Sequence, residues 1–347
     1  MLIAGLVVIF LVVLLGPFLN RAIERNLEAF LFLMGVASAT FSRAWSHELV
    51  EEGLVAPISI TLAVLGAGVL FHYLRKWIDS KTQLLFSRLP LPAVICCAIT
   101  FLGLISSIIS AIIAALLLVE FITVLRLHRQ AEVNLTILAC FAIGLGAALT
   151  PLGEPLSTIT VSKLSGEPHL ATFFYLAELL GIYITVAIAG LSILSVPLVR
   201  RSSKDRKRTL SADTGKERLG EVFLRAAKVY VFVMALIFLG AGFKPLIDAY
   251  LVKVSSSILF WANMVSAVLD NATLAAAEIG PTLREEQIKS ALLGLLIAGG
   301  MLIPGNIPNI IAAHSLKIKS TEWARVGVPL GLVLMAITAV FLMSGWV

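Results

Sequence analysis

Two carboxylates stand in stretches apolar enough to lie inside a bilayer. Asp270 occurs in Ser266-Ala-Val-Leu-Asp270-Asn271-Ala-Thr273, with Glu278 and Gly280-Pro281 just beyond. Glu154 occurs in Thr150-Pro151-Leu-Gly153-Glu154-Pro155-Leu-Ser157-Thr158. An ionised carboxylate at membrane depth costs at least about 2.5–3.5 kcal/mol on insertion scales, so a chain keeps one there when it faces protein, water or an ion. Asp270, Asn271, Thr273, Glu154, Ser157 and Thr158 offer hard oxygens of the kind that suits Na⁺ or H⁺. An apolar setting favours the protonated form of a carboxyl group and a bound cation favours the ionised form. Each ligand then expels the other, which is the chemistry of exchange. No Lys, Arg or His lies near the middle of either motif. That favours a cation over an anion, although a helix N-terminus can hold an anion without a basic side chain.

The elements that hold these groups must be membrane helices. The sequence is 59% hydrophobic and 14% charged, with a mean hydropathy of +0.98, whereas an ordinary soluble domain is about a quarter charged. Long continuous apolar runs exclude a transmembrane barrel, which reads as short alternating segments. The fold expected is an all-α polytopic membrane protein of about eight spans plus two re-entrant helical hairpins. The +6 formal charge marks cytoplasmic loops. No basic stretch carries the interleaved aromatics of a nucleic-acid surface. Cys96, Cys97 and Cys140 lie in apolar segments and form neither a metal pattern nor a disulfide framework. Ser157 and Ser266 have no His in their motifs, and no H-E-x-x-H pattern occurs. No enzyme and no cofactor are expected.

In chain order, residues 1–53 hold two scaffold helices followed by an acidic loop with His47, Glu48, Glu51 and Glu52. The run from Leu2 lacks a basic flank and a small-x-small cleavage site, so it reads as a retained helix. Residues 54–199 form a first repeat, opened by a span over 54–74 and an amphipathic link to Pro90. Residues 91–125 are too long for one crossing and too short for two with a loop. Their middle, Gly103 to Ser110, is small and polar, with Ser106, Ser107 and Ser110, and is expected to turn a hairpin. Residues 135–161 read as a helix broken by Pro151, Gly153 and Pro155, since a helix-interior Pro costs about 3 kcal/mol. A basic linker, 200–221, follows. Residues 222–347 repeat the plan with a hairpin over 254–281 and a broken helix over 288–313, interrupted at Pro304, Gly305 and Pro308.

The spacing Pro151-x-x-x-Pro155 is matched by Pro304-x-x-x-Pro308. Paired interrupted segments at corresponding positions are the best sequence pointer to a transporter site. Placing the basic linker in the cytoplasm leaves outside only Arg43, Lys163, Lys244, Lys253, Arg284 and Lys289 of the 27 Lys and Arg. That satisfies the positive-inside rule, inverts one half against the other and puts both chain ends outside.

At these residues the chain resembles the ion-transporter superfamily, which includes NhaD-type sodium/proton antiporters, arsenite permeases and dicarboxylate transporters. Thr150-Pro-Leu-Gly-Glu154 is similar to the T-P-x-G-[DE] stretch of the antiporters, and Ser266 to Thr273 is similar to their second hairpin tip. Pro304-Gly-Asn306-Ile-Pro308-Asn309 is closer to the arsenite and dicarboxylate branches. The likeness runs from Leu54 to the C-terminus. The family often carries Asp-Asn or Ser-Asn-Thr at the first tip, where this chain has only serines. The resemblance implies alternating access, a homodimer in the lipid bilayer, Na⁺ or another monovalent cation as substrate, and the inner (plasma) membrane of a prokaryote.

The expected site comprises Asp270, Asn271, Thr273, Glu154, Thr150, Ser157, Thr158, Asn306, Asn309, Ser106, Ser107 and Ser110, with Na⁺ held at Asp270, Asn271 and Glu154. Glu154, Asp270, Glu178 and Glu278 are the proton-relay candidates. Purely structural roles stand beside these. Asp270, Asn271 and Glu154 suit helix capping, Asn306 and Asn309 suit unwound backbone, and Glu278 suits a solvated surface. Three functions follow: cation/proton antiport; sodium- or proton-coupled symport of a small anion such as a dicarboxylate or arsenite; and a channel or ion-binding protein that does not transport.

Overall fold

The computed structural model describes residues 2–344, apart from 21, 24–25, 89, 126, 206–218 and 251–254. The described residues are helical, with no strand among them. The helices are α1 (Leu2–Leu19), α2 (Leu27–Ser42), α3 (His47–Arg88), α4 (Leu91–Ile109), α5 (Ala111–Leu125), α6 (Arg129–Ala147) and α7 (Pro155–Leu164). After them come α8 (Tyr175–Asp205), α9 (Leu219–Tyr250), α10 (Ser256–Ala262), α11 (Asn271–Glu278), α12 (Glu285–Gly299), α13 (Ile307–Ser315) and α14 (Ser320–Ser344). Short 3₁₀ turns occupy Asn263–Ala267 and Ile303–Gly305.

Among the described residues, seven helices are long and apolar enough to cross a membrane: those containing Leu2–Leu19, His47–Gly66, Leu91–Ile109, Arg129–Ala147, Tyr175–Val199, Val222–Leu246 and Ser320–Leu342. Burial sorts them. The span in α6 is 83% buried, against 17% for α14 and 22% for α1, so α6 is the central helix and the other two form the rim. Val8, Leu11, Ile193, Val333 and Val340 lie exposed on the outer helices. Apolar surface of that extent needs a lipid or protein covering. The chain is a polytopic membrane protein.

Two groups of helices meet. The scaffold packs α2 and α3 on α9, tied by the Lys228–Glu28 ion pair (2.7 Å) and by Tyr230 donating to the Leu54 carbonyl (2.8 Å). The inner group packs α4 on α6 and α8, α5 on α13, α7 on α11, and α10 on α12.

Three sequence expectations change. The acidic loop at His47 is the first two turns of α3, where negative charge suits a helix N-terminus; Ser46 Oγ accepts from Leu49 N–H to cap it (3.1 Å). That helix then runs unbroken through the expected amphipathic link to Arg88, since neither Gly nor Pro interrupts 69–88. The turn over Gly103–Ser110 shrinks to Ser110 alone, at φ 78°. The reason is local: Ser106 and Ser107 donate back to the Gly103 and Leu104 carbonyls (2.7 Å each), so they stay helical. Of the linker 200–221, helix α8 covers the part to Asp205 and α9 resumes at Leu219; 206–218 lie outside the described residues, as do Arg21, Arg25, Arg126 and Lys253.

Candidate functional site

Both long inner helices are interrupted as the sequence suggests, and the two interruptions share one geometry. Helix α6 ends at Ala147, and α7 begins after Glu154 at φ −156°, ψ 161°. Helix α12 ends at Gly299, and α13 begins after Asn306 at φ −154°, ψ 147°. Glu154 therefore corresponds to Asn306, Gly153 to Gly305 and Ser157 to Asn309. The proline spacing misleads by one residue: Pro155 is the first residue of α7, while Pro308 is the second of α13. Both positions tolerate Pro, because the first N–H groups of a helix have no partner within it.

An interruption at membrane depth exposes peptide groups that lipid cannot satisfy. Here the third residue of each new helix reaches back to the end of the old one. Ser157 Oγ donates to the Ala148 carbonyl (3.0 Å) and, at 3.5 Å, to that of Ala147. Asn309 Nδ2 donates to the Gly299 and Leu302 carbonyls (2.8 and 2.9 Å). The two break glycines are set by space. A Cβ on Gly305 would lie 2.5 Å from the Gly299 carbonyl oxygen, and one on Gly153 would overlap that of Ala147.

The segments before α5 and α11 bond to the interrupted helices in matching fashion. Ser106 Oγ donates to the Ile143 carbonyl (3.0 Å) and Ser266 Oγ to that of Leu295 (3.1 Å). Four residues further on, Ser110 and Asp270 precede α5 and α11. Ala111 N–H donates to the Gly153 carbonyl (2.8 Å), and Thr150 Oγ1 donates to that of Ser107. Asp270 Oδ2 caps α11, accepting from Thr273 N–H (3.0 Å) and Thr273 Oγ1 (3.3 Å).

The acidic groups converge because α7 and α11 lie side by side in parallel. Lys163, in the last turn of α7, donates to the Ala276 carbonyl and, at 3.2 Å, to that of Ile279, at the far end of α11. At the near end, Glu154 lies within electrostatic reach of Asp270, and its carboxylate faces the Asn271 amide. Glu154 is 6% exposed and Asn271 3%, yet Glu154 Oε1 and Asn271 Nδ2 lack a partner of hydrogen-bonding geometry. Glu154 makes no cap bond of its own. Two positive helix ends and two carboxylates thus lie within electrostatic reach of one another, and among the described residues neither carboxylate has an ion-pair partner.

The remaining expected residues divide. Thr158 Oγ1 is held by the Pro151 carbonyl (2.6 Å), within the break. Asn306 is buried, its amide against Gly144 of α6, where a Cβ would come within 2.5 Å. Ser106, Ser107, Ser157 and Thr150 give their protons to the backbone, which leaves only lone pairs for a ligand. Glu178 is exposed near the start of α8 and is not brought to the site. Glu278 is buried, not solvated: Asn263 Nδ2 donates to its Oε2 (2.9 Å). Asn263, Thr160 and the capping role of Lys163 escaped the sequence reading. An Asn within apolar Phe260-Trp-Ala-Asn263 was the available signal.

No group of three or more His, Cys, Asp or Glu side chains gathers as a metal site among the described residues. Residues 3–344 match the family described as a protein of unknown function (DUF1646). A comparison with curated proteins found no match.

Proposed function

We propose that this chain, which belongs to the DUF1646 family, is a secondary active transporter exchanging a monovalent cation, Na⁺ in the first instance, for H⁺. One observation carries the reading: Glu154, in the break before α7, lies within electrostatic reach of Asp270, the residue that caps the adjacent α11. Proton and cation compete for the same oxygens there, with the Asn271 amide and the peptide groups of the break completing the shell. The matching breaks and tips support two related halves, and the distribution of basic residues supports their inversion, with both chain ends outside and the linker in a prokaryotic cytoplasm. A homodimer is carried over from the family likeness alone.

Purified protein in liposomes tests this. Added Na⁺ is expected to dissipate a preset pH gradient with no organic anion present. Comparing Na⁺, Li⁺ and K⁺ ranks the ions. If the signal persists unchanged in Asp270→Asn, the site is wrong.

A second reading has its own observation. Helix α13 starts at neutral Asn306 with no side-chain cap, and a free helix N-terminus is a ready anion site. Cation-coupled uptake of a small carboxylate or oxyanion would use it. A gradient signal that requires such an anion favours symport over exchange.

A further inference from the structure

We infer that Glu278, held by Asn263, is a proton station separate from the cation site, loading and unloading protons from the face that bears Lys163 and the 165–174 loop. This rests on the exchange reading. Glu278 ends α11, the helix that Asp270 begins. Eight residues of helix place it about 12 Å along the axis from the cation site. It is too far to share the ion and too buried to be a surface charge.

The surroundings are polar and incompletely bonded. Asn263 Nδ2 donates both to Glu278 Oε2 and to the Ala291 carbonyl (3.0 Å). Glu278 Oε1 and Asn263 Oδ1 have no partner, and Glu278 is 5% exposed and Asn263 fully buried. Thr160, also fully buried on α7, has an unpartnered hydroxyl, at a height between Glu154 and Lys163. Buried water is the usual partner of polar atoms left open in this way. Thr160 lies on α7 between Glu154 and Lys163 in the chain, and Glu278 lies at the opposite end of α11 from Asp270. The α5/α13 pair packs Ile112, Leu116, Ile307 and Ile311 instead.

Among the described residues no ion pair reaches Glu278. From α7, the Lys163 ammonium is taken up by the Ala276 and Ile279 carbonyls. On α12, Arg284, Glu285 and Glu286 are exposed, and Lys289 lies over the Tyr183 ring. On α9, Lys244 is exposed.

The step balances simply. As the cation leaves, the Glu278 carboxyl releases its proton through Thr160 and water to a vacated carboxylate at Glu154 or Asp270. Glu278 then regains a proton from water at the loop face.

Two assays on the reconstituted full chain separate the possibilities: Na⁺-driven proton movement across a range of pH, and Na⁺/Na⁺ counterflow, which moves no proton. Glu278→Gln keeps an acceptor for Asn263. It is expected to slow proton-coupled exchange about a hundredfold, with counterflow and half-saturating Na⁺ unchanged, and Glu278→Asp should recover part of the rate. An unaltered rate and pH profile in Glu278→Gln overturns the station. So does loss of counterflow, which would make Glu278 a structural or cation-binding residue. If the parent protein shows counterflow but no proton movement, exchange itself is the reading that fails.

Discussion

Two pairs of half-helices meet near the middle of this protein, and they differ in charge. At α7 and α11 the positions before the first helical residues are Glu154 and Asp270. At α13 and α5 they are Asn306 and Ser110. The backbone devices are alike in both, down to the glycine in each break and the side chain that reaches back to the previous helix. The first pair carries unpartnered polar atoms on Glu154 and Asn271, and the second packs isoleucine and leucine. The two pairs share their backbone devices, but only the first carries acids.

Removing the acid should have the largest effect. Glu154→Gln or Asp270→Asn is expected to weaken cation dependence by about 3–5 kcal/mol, the cost of breaking a buried charge arrangement. That is about two to three and a half decades in half-saturating Na⁺. Unchanged Na⁺ dependence in both variants would erase the contrast. Adding acid to the neutral pair sharpens it: Asn306→Asp, nearly isosteric, should make the Na⁺ dependence cooperative, read as a Hill coefficient rising above one.

The shared backbone devices predict smaller, matched losses. Gly305→Ala and Gly153→Ala each force a methyl group onto a carbonyl oxygen and should destabilise by about 1–3 kcal/mol, seen as a lower Tm in detergent. Asn309→Ala and Ser157→Ala free orphan carbonyls at about 1–3 kcal/mol each. The Asn309 change should be the worse, since that side chain holds two carbonyls at full strength. A large loss in only one half would show that the two breaks do different work.

Arg129 gives the smallest effect. It donates to Glu132, to both oxygens of Glu322 and to the Leu316 and Lys317 carbonyls, tying α6 to the α13–α14 link. Arg129→Lys keeps the charge and loses the planar fork. It should lower stability by about 1 kcal/mol and leave the cation dependence of both pairs alone.

Much of this was legible beforehand. Pro, Gly and carboxylates inside apolar runs announced the breaks, because only special backbone leaves such residues at membrane depth. The proline pattern could not announce its own register, since either of the first two helical positions accepts Pro. Serine at Gly103–Ser110 looked like a turn because its hydroxyl can compete with the helix; in place, it bonds within the helix. Glu278 looked solvated from the neighbouring Gly280-Pro281, and only its distant partner Asn263 accounts for its burial.

The residues alone determined that this chain lives in a membrane and that its two inner helices are interrupted. Hydrophobicity and backbone chemistry act locally, so they can be read locally. Which acids share a site was decided by the parallel packing of α7 against α11, helices more than a hundred residues apart in the chain. That packing brings Lys163 to the end of α11, and a glycine of α9, Gly240, leaves room for Thr273 in the first turn of α11. Neither is visible until both halves are folded together.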